Sequence, residues 1–292
     1  MVNNKVRLSV VIVTYNSTKL LKECLHSIYT YNDIGEQLEV LIVDNKSQDI
    51  EQLKNLLASN YKSVRLIENS NNGGYGQGNN LGIRNACGDV ILIMNPDARC
   101  KEPIFKKALC QLDSTDCVLL GMNQWNADMC EGESFRYDSP YSFFLKDLIL
   151  LKLANKIEYF NPSKMYISGS CFFIKKDEFE EIGLFDEQIF MYYEECDIRR
   201  RIIKKYGINS IHYNKFLNYI HAHPKEKFNF KSSKRDLDSM RYFSEKYNLD
   251  FDRFKRKILM NLKFFRLMSI LKSDKFSISE YDKSIFYLYN MK

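Results

Sequence analysis

Long apolar runs are missing from this chain. The more extended ones, such as residues 90–94 (VILIM) and 148–151 (LILL), fall far short of the roughly 20 residues a membrane-spanning helix needs. That excludes a span built from such a helix. Proline is scarce at five in 292 residues, and no stretch rich in Pro or Gly reads as a linker. With 45% hydrophobic residues the chain can bury a full core, so compositional disorder is excluded as well. The eight cysteines never take a CxxC spacing, which argues against a disulfide framework and predicts reduced, mostly buried thiols. No small-residue cleavage pattern follows the N-terminal residues, so a cytoplasmic location is expected. The net charge of +6 is modest, and no nucleic-acid partner is expected. The basic residues are uneven, however, and crowd residues 225–275.

What is present is a repeating alternation. Residues 8–13 (LSVVIV) are a β-branched run ending at Thr14-Tyr15-Asn16, and residues 19–29 carry Leu20, Leu21, Leu25 and Ile28 at helical spacing. Residues 38–43 (LEVLIV) end at Asp44-Asn45, and a helix is expected over residues 50–60. A strand at 64–68, a glycine-rich loop and a helix at 80–86 follow, then residues 89–94 (DVILIM) ending at Asn95-Pro96-Asp97. Strands apolar on both faces and alternating with helices predict an α/β fold with a mainly parallel sheet covered on two sides. Ligands in such sheets bind beyond the carboxyl ends of the strands, so the three polar clusters are expected to share one crevice. A helix is expected at 141–157, with Phe144, Leu148 and Leu151 on one face. From about residue 235 the chain reads as helices, which suggests a nucleotide-binding domain over 1–230 and a basic helical extension over 231–292.

Four clusters carry chemistry. Pro96 holds Asn95 extended, so Asp97 is expected at the sheet edge, where one carboxylate suits Mg²⁺ or Mn²⁺ completed by substrate phosphate; a simple Asn-Pro turn explains the same residues. Residues 72–80 (NGGYGQGNN) place four glycines before a helix, which would let a ligand approach the backbone, although they do not match GxGxxG. Residues 194–197 (EECD) put three acids behind an aromatic run. Acids are favoured in a first helical turn in any case, but aromatic neighbours that desolvate a carboxylate also suit it to act as general base. His221 and His223 alternate on a strand, so one of them is a candidate metal ligand if Asp97 is near. Between 251 and 272, Phe251, Phe254, Ile258, Leu262 and Phe265 at helical spacing are interleaved with Lys and Arg. That pattern suits core packing, and also a surface that binds anionic membrane.

In order, these clusters resemble the family 2 glycosyltransferases, especially the bacterial rhamnosyltransferase-like branch that builds surface polysaccharides. The resemblance runs from residue 10 to about 221 and takes in residues 11–16 (VIVTYN), 43–47 (VDNKS), 72–82, 95–98 (NPDA), 168–171 (SGSC), 183–187 (GLFDE) and 194–197 with Arg201. It implies a GT-A fold and an inverting transfer from a nucleotide diphosphate sugar, dTDP-rhamnose or a UDP-hexose, to a glycan acceptor, lipid-linked or not. It further implies that Thr14 and Asp44 hold the nucleoside base and that Asn80 lines the donor site, with Tyr15, Asn16, Asn45, Gly74, Tyr75 and Asn95 around them. Asp97 is then the metal-binding acid, joined by His221, and Glu195 the general base beside Glu194. The family pattern has Glu-Asp where this chain has Glu194-Glu195, and Asn95 stands where a full DxD has its first acid. A sugar-phosphate nucleotidyltransferase and a non-catalytic nucleotide-sugar-binding scaffold are the rival readings. Thr14-Tyr15-Asn16-Ser17 after the first strand, where a nucleotidyltransferase has a basic Gly-rich loop, disfavours the first. Peripheral attachment to the inner membrane face and a second copy of the chain are the further partners considered.

Overall fold

The computed structural model describes residues 5–138, 144–222 and 227–291, with 144–148 as backbone only. Its first half is the expected alternation: β1 (Leu8–Thr14), α1 (Thr18–Thr30), β2 (Leu38–Asp44), α2 (Ile50–Asn60), β3 (Arg65–Glu68), α3 (Gly74–Asn85) and β4 (Val90–Met94). The second half adds β5 (Ala98–Cys100), α4 (Phe105–Ser114), β6 (Leu119–Asn126), β7 (Phe135–Tyr137), α5 (Phe144–Lys156), β8 (Met165–Ile167) and β9 (Cys171–Lys175). It continues through α6 (Lys176–Glu181), α7 (Glu194–Tyr206) and β10 (Ile211–His221). Three helices close the chain: α8 (Phe230–Lys246), α9 (Phe251–Leu271) and α10 (Lys275–Asn290).

Eight strands form one sheet in the order β3-β2-β1-β4-β9-β6-β10-β5. Pairing is parallel from β3 through β4 and between β6 and β10, and antiparallel where β9 joins β4 to β6 and where β5 meets β10. β1 shows why such strands read as continuous apolar runs. Leu8, Val10 and Ile12 face one core with Leu21, Leu25 and Ile28 of α1, while Val11 faces a second with Ile83 of α3. The parallel register sets Thr14 opposite Asp44 and Asp44 opposite Glu68, so the strands present their polar ends along one edge.

The glycine-rich segment departs from the expected loop. Helix α3 already begins at Gly74 and contains Gly76, Gly78 and Gly82. A Cβ at Gly82 would lie 2.4 Å from Val11 Cγ1, and one at Gly78 would lie 2.8 Å from Val13 Cγ1. These glycines let the helix lie close against β1, and tertiary packing overrides their poor helix propensity. Only Gly74, with φ +89°, takes a conformation that L side chains avoid.

The C-terminal helices start at Phe230, before the expected 235, because the Asn229 side chain caps α8 by accepting from the Ser232 amide. They pack around Leu237, Met240, Phe254, Leu262 and Leu288. Helix α8 also docks on α7: Tyr247 donates to Asp197 at 2.7 Å, Lys246 pairs with Asp197 and with Asp186, and the Tyr193 and Phe243 rings pack 5.2 Å apart. All eight cysteines are free and five are buried.

Candidate active site

The polar strand ends lie along one edge of the sheet, and hydrogen bonds lace their loops together. Asn45 N–H donates to Thr14 O at 2.9 Å, Gln48 N–H to Asn16 Oδ1 at 2.8 Å, and Asn16 N–H to Ser47 Oγ at 2.8 Å. Within this frame two oxygens are buried without a hydrogen-bond partner, Thr14 Oγ1 and Asp44 Oδ1; the other Asp44 oxygen accepts from Ser47 N–H at 2.9 Å. Buried polar groups are rarely left unpaired, so the ends of β1 and β2 present two groups able to bind a polar ligand. Tyr15 is exposed beside them.

Other expected donor residues are committed to the framework. Asn80 donates to Phe185 O and Glu187 Oε1, both at 2.9 Å, and accepts from Phe185 N–H at 2.9 Å. Asn45 donates to Gly74 O at 2.9 Å and accepts from Asn69 at 3.0 Å. Tyr75 donates to Gly169 O at 2.6 Å. A Cβ at Gly74 would meet Phe190 O at 2.2 Å. These four position the crevice walls through groups already spent on the protein.

Beyond β4, Asn95 and Asp97 lie in a tight turn closed by Ala98 N–H donating to Asn95 O at 3.0 Å, so the Asn-Pro turn and the acid coexist. Asn95 N–H also donates to Ser170 O at 2.8 Å. The antiparallel pairing of β5 with β10 sets His221 opposite Ala98 and brings His221 Nε2 within 3.2 Å of Asp97 Oδ1. The structure thus joins two residues more than 120 positions apart in sequence. His223 lies outside the described residues. On neighbouring β6, Trp125 Nε1–H donates to Asn218 Oδ1 at 2.8 Å under Lys101. Among the described residues no three His, Cys, Asp or Glu side chains cluster as a metal cage. A carboxylate and an imidazole converging on one point nevertheless fit a cation that draws its remaining ligands from substrate oxygens and water.

Glu194 and Glu195 open α7, preceded by two non-glycine residues with positive φ, Tyr192 at +72° and Tyr193 at +71°. Strained backbone of this kind marks functional sites. Glu194 is 3% exposed, and its Oε1 has no hydrogen-bond partner. Burial, and then the adjacent Glu195 carboxylate, hold its pKa well above the usual carboxylate range. Burial raises Glu195 too, but Arg136 and the Gly169 backbone pull it back. The more easily ionised member of the pair is therefore Glu195. A Cβ at residue 169 would lie 2.1 Å from Glu195 Oε1, so only glycine admits the carboxylate there. The 168–170 segment is fixed in turn by Gln124 Oε1, which accepts from Ser170 at 3.1 Å and from Tyr219 at 2.8 Å.

Asp197, the third acid, has another role. Arg201, Lys246 and Tyr247 surround its buried carboxylate, making it the joint between α7 and α8. Arg136 and Gly169 were missed from sequence as site residues. The Ser-Gly-Ser run was a signal for Gly169, whereas Arg136 has no local pattern and is placed only by β7.

The family model for glycosyl transferase family 2 matches residues 9–183, more than half of the chain. The chain belongs to glycosyltransferase family 2. Among relatives of this family, the low-salt glycan biosynthesis hexosyltransferase Agl10 of Haloferax volcanii is 27% identical over 77% of this chain and 70% of its own length. Glycosyltransferase GlyG of Streptococcus pneumoniae is 29% identical over 60% of this chain and 58% of its own. A Staphylococcus aureus poly(ribitol-phosphate) β-N-acetylglucosaminyltransferase, TarS, is 28% identical over 55% of this chain, which spans only 27% of that longer protein. In structure the chain is similar to a Pyrobaculum calidifontis mannosyltransferase solved with GDP-Man and Mn²⁺, with a TM-score of 0.61 and 17% identity over 84% of this chain and 65% of that one. It is likewise similar to residues 1–349 of TarS solved with UDP-GlcNAc, with a TM-score of 0.58 and 17% identity over 96% of this chain and 81% of that one. The sheet and its flanking helices are thus the GT-A architecture of the family.

Proposed function

We propose that the chain is an inverting, divalent-metal-dependent glycosyltransferase that moves a sugar from a nucleotide diphosphate donor to a hydroxyl of a growing surface polysaccharide. The observation carrying this reading is the convergence at one sheet edge of unpartnered Thr14 and Asp44 oxygens, the Asp97–His221 pair and the Glu194–Glu195 pair. Thr14, Asp44 and Tyr15 form the base end of the donor site, and Asn95 stands between base and metal positions. Asp97 and His221 hold Mn²⁺ or Mg²⁺, which when bound neutralises charge on the departing diphosphate. Glu195 accepts the proton from the acceptor hydroxyl as that oxygen bonds to the anomeric carbon and the nucleoside diphosphate leaves from the opposite face. Glu194, kept protonated by burial, leaves the negative charge on Glu195.

A UDP-hexose fits the hexosyl and N-acetylglucosaminyl names of the relatives better than dTDP-rhamnose does. A lipid-linked acceptor at a membrane surface is favoured by α9. Residues 253–273 carry seven Lys and Arg and no acid, and Leu267, Ile270, Leu271 and Phe276 are exposed around its C-terminal end. The reading is tested by melting the protein with dTDP-, UDP- and GDP-sugars in Mn²⁺, Mg²⁺ or chelator. Ligands that bind the native state raise the melting temperature. A metal-dependent rise with one nucleotide class is expected; no rise with any would refute it.

A further inference from the structure

Between α8 and the residues that flank the two glutamates in the chain, Tyr193 and Cys196, lies a cavity of about 260 Å³ that the donor assignment leaves unused. We propose that it is the subsite for the acceptor sugar ring, and that Asp236, supplied by the C-terminal helices, selects a neutral, hydroxyl-bearing ring. The proposal rests on Glu195 being the base and adds where the acceptor sits and what recognises it. Several elements wall the cavity, among them β7 with Arg136, β8 with Tyr166, the segment before α7 with Tyr192 and Tyr193, α8 with Asp236 and α9 with Phe254. Its volume lies below the roughly 300–1,000 Å³ typical of pockets for drug-sized ligands, which suits one ring better than an oligosaccharide.

The cavity is electrostatically continuous with the reacting groups. Arg136 and Tyr166 both feel the Glu195 charge, and Glu194 feels Asp236. Its other carboxylate, Asp138, is already neutralised by Arg199 and Arg200. Asp236 makes no hydrogen bond or ion pair with any described residue. Burial pushes its carboxyl up to about 6, with only the Arg136 charge pulling it down. An ionised carboxylate only accepts hydrogen bonds, so the ligand it lacks is a donor, and sugar hydroxyls are donors. Tyrosine rings provide flat apolar walls with polar edges for the ring's faces. A phosphorylated acceptor would instead bring like charge against Asp236.

Saturation-transfer NMR on the full chain, with methyl glycosides of glucose, galactose, mannose, rhamnose and N-acetylglucosamine against glucose 6-phosphate, tests this. At least one neutral glycoside is expected to bind, and Asp236→Asn and Tyr192→Ala are each expected to weaken it about tenfold. Asp236 bonds to none of the described residues, so its replacement should leave the fold intact, which the melting curve verifies. Glu195→Gln should keep glycoside binding within about twofold, because the ring is held by other groups. Nucleotide-sugar binding, read separately by thermal shift, should be unaffected by Asp236→Asn; if it is absent from the wild type as well, the transferase reading fails rather than the subsite. The subsite is overturned if no neutral glycoside binds, if neither substitution weakens binding, or if glucose 6-phosphate binds best.

Discussion

Glu195 and Glu194 share one helix turn but differ in surroundings, and their variants should differ accordingly. Glu195→Gln is expected to lower transfer at least about a hundredfold while donor affinity stays within a few-fold; retained turnover in a radiolabelled-sugar assay would remove Glu195 as base. Glu194 has its folded pKa raised by burial, so between its unfolded and folded pKa values the native state binds more protons than the unfolded one. Its stability contribution is therefore lost as pH rises through that window. Glu194→Gln imitates the protonated acid and should melt higher than wild type at pH 8, with the difference shrinking towards pH 4.5. An equal difference at both pH values would contradict a buried, uncompensated acid. Of these two, sequence could show the acids and the aromatics before them. It could not show that Gly169 and Arg136 hold one carboxylate, because those contacts come from strands assembled far apart in the chain.

Helix α3 is the element whose sequence misled most. Four glycines near a strand end read as a ligand-binding loop, but three lie within the helix so that it can press onto β1. Gly82→Ala should accordingly destabilise by about 1–3 kcal/mol through overpacking against stiff Val11, outweighing the roughly 1 kcal/mol that alanine gains in an open helix; urea unfolding reads the sign directly. Helix α7 likewise joins two roles, the proposed chemistry at its first turn and docking at Asp197. Asp197→Ala should cost about 3–5 kcal/mol, since Lys246 and Arg201 would lose their buried partner. A stability change near zero would separate α8 from the rest of the fold. By contrast, β1, β2, β4, α1 and α2 were legible within a residue or two, because each must bury apolar groups with a period that the sequence displays.

For the whole molecule, the expected division at residue 230 becomes a test. Tyr193 packs on Phe243, and Asp186 and Asp197 are paired from α8. A chain ending at 230 should therefore melt markedly lower or aggregate, whereas two independent domains would leave its melting unchanged. The basic, apolar end of α9 predicts that the full chain pellets with anionic phosphatidylglycerol vesicles at low salt and is released at high salt. Failure to pellet would withdraw the membrane surface from the proposal. Among the described residues no helix is long and apolar enough to cross a bilayer.

Local pattern alone determined the alternating elements, the edge at which the polar clusters gather and the acids proposed to carry the chemistry, because periodicity and strand-end polarity are properties of short segments. Tertiary structure decided the pairings: His221 with Asp97, Gly169 with Glu195, Tyr193 with Phe243. Each joins residues from different elements through sheet order or helix docking, which depends on how whole elements exclude water from both faces of the sheet.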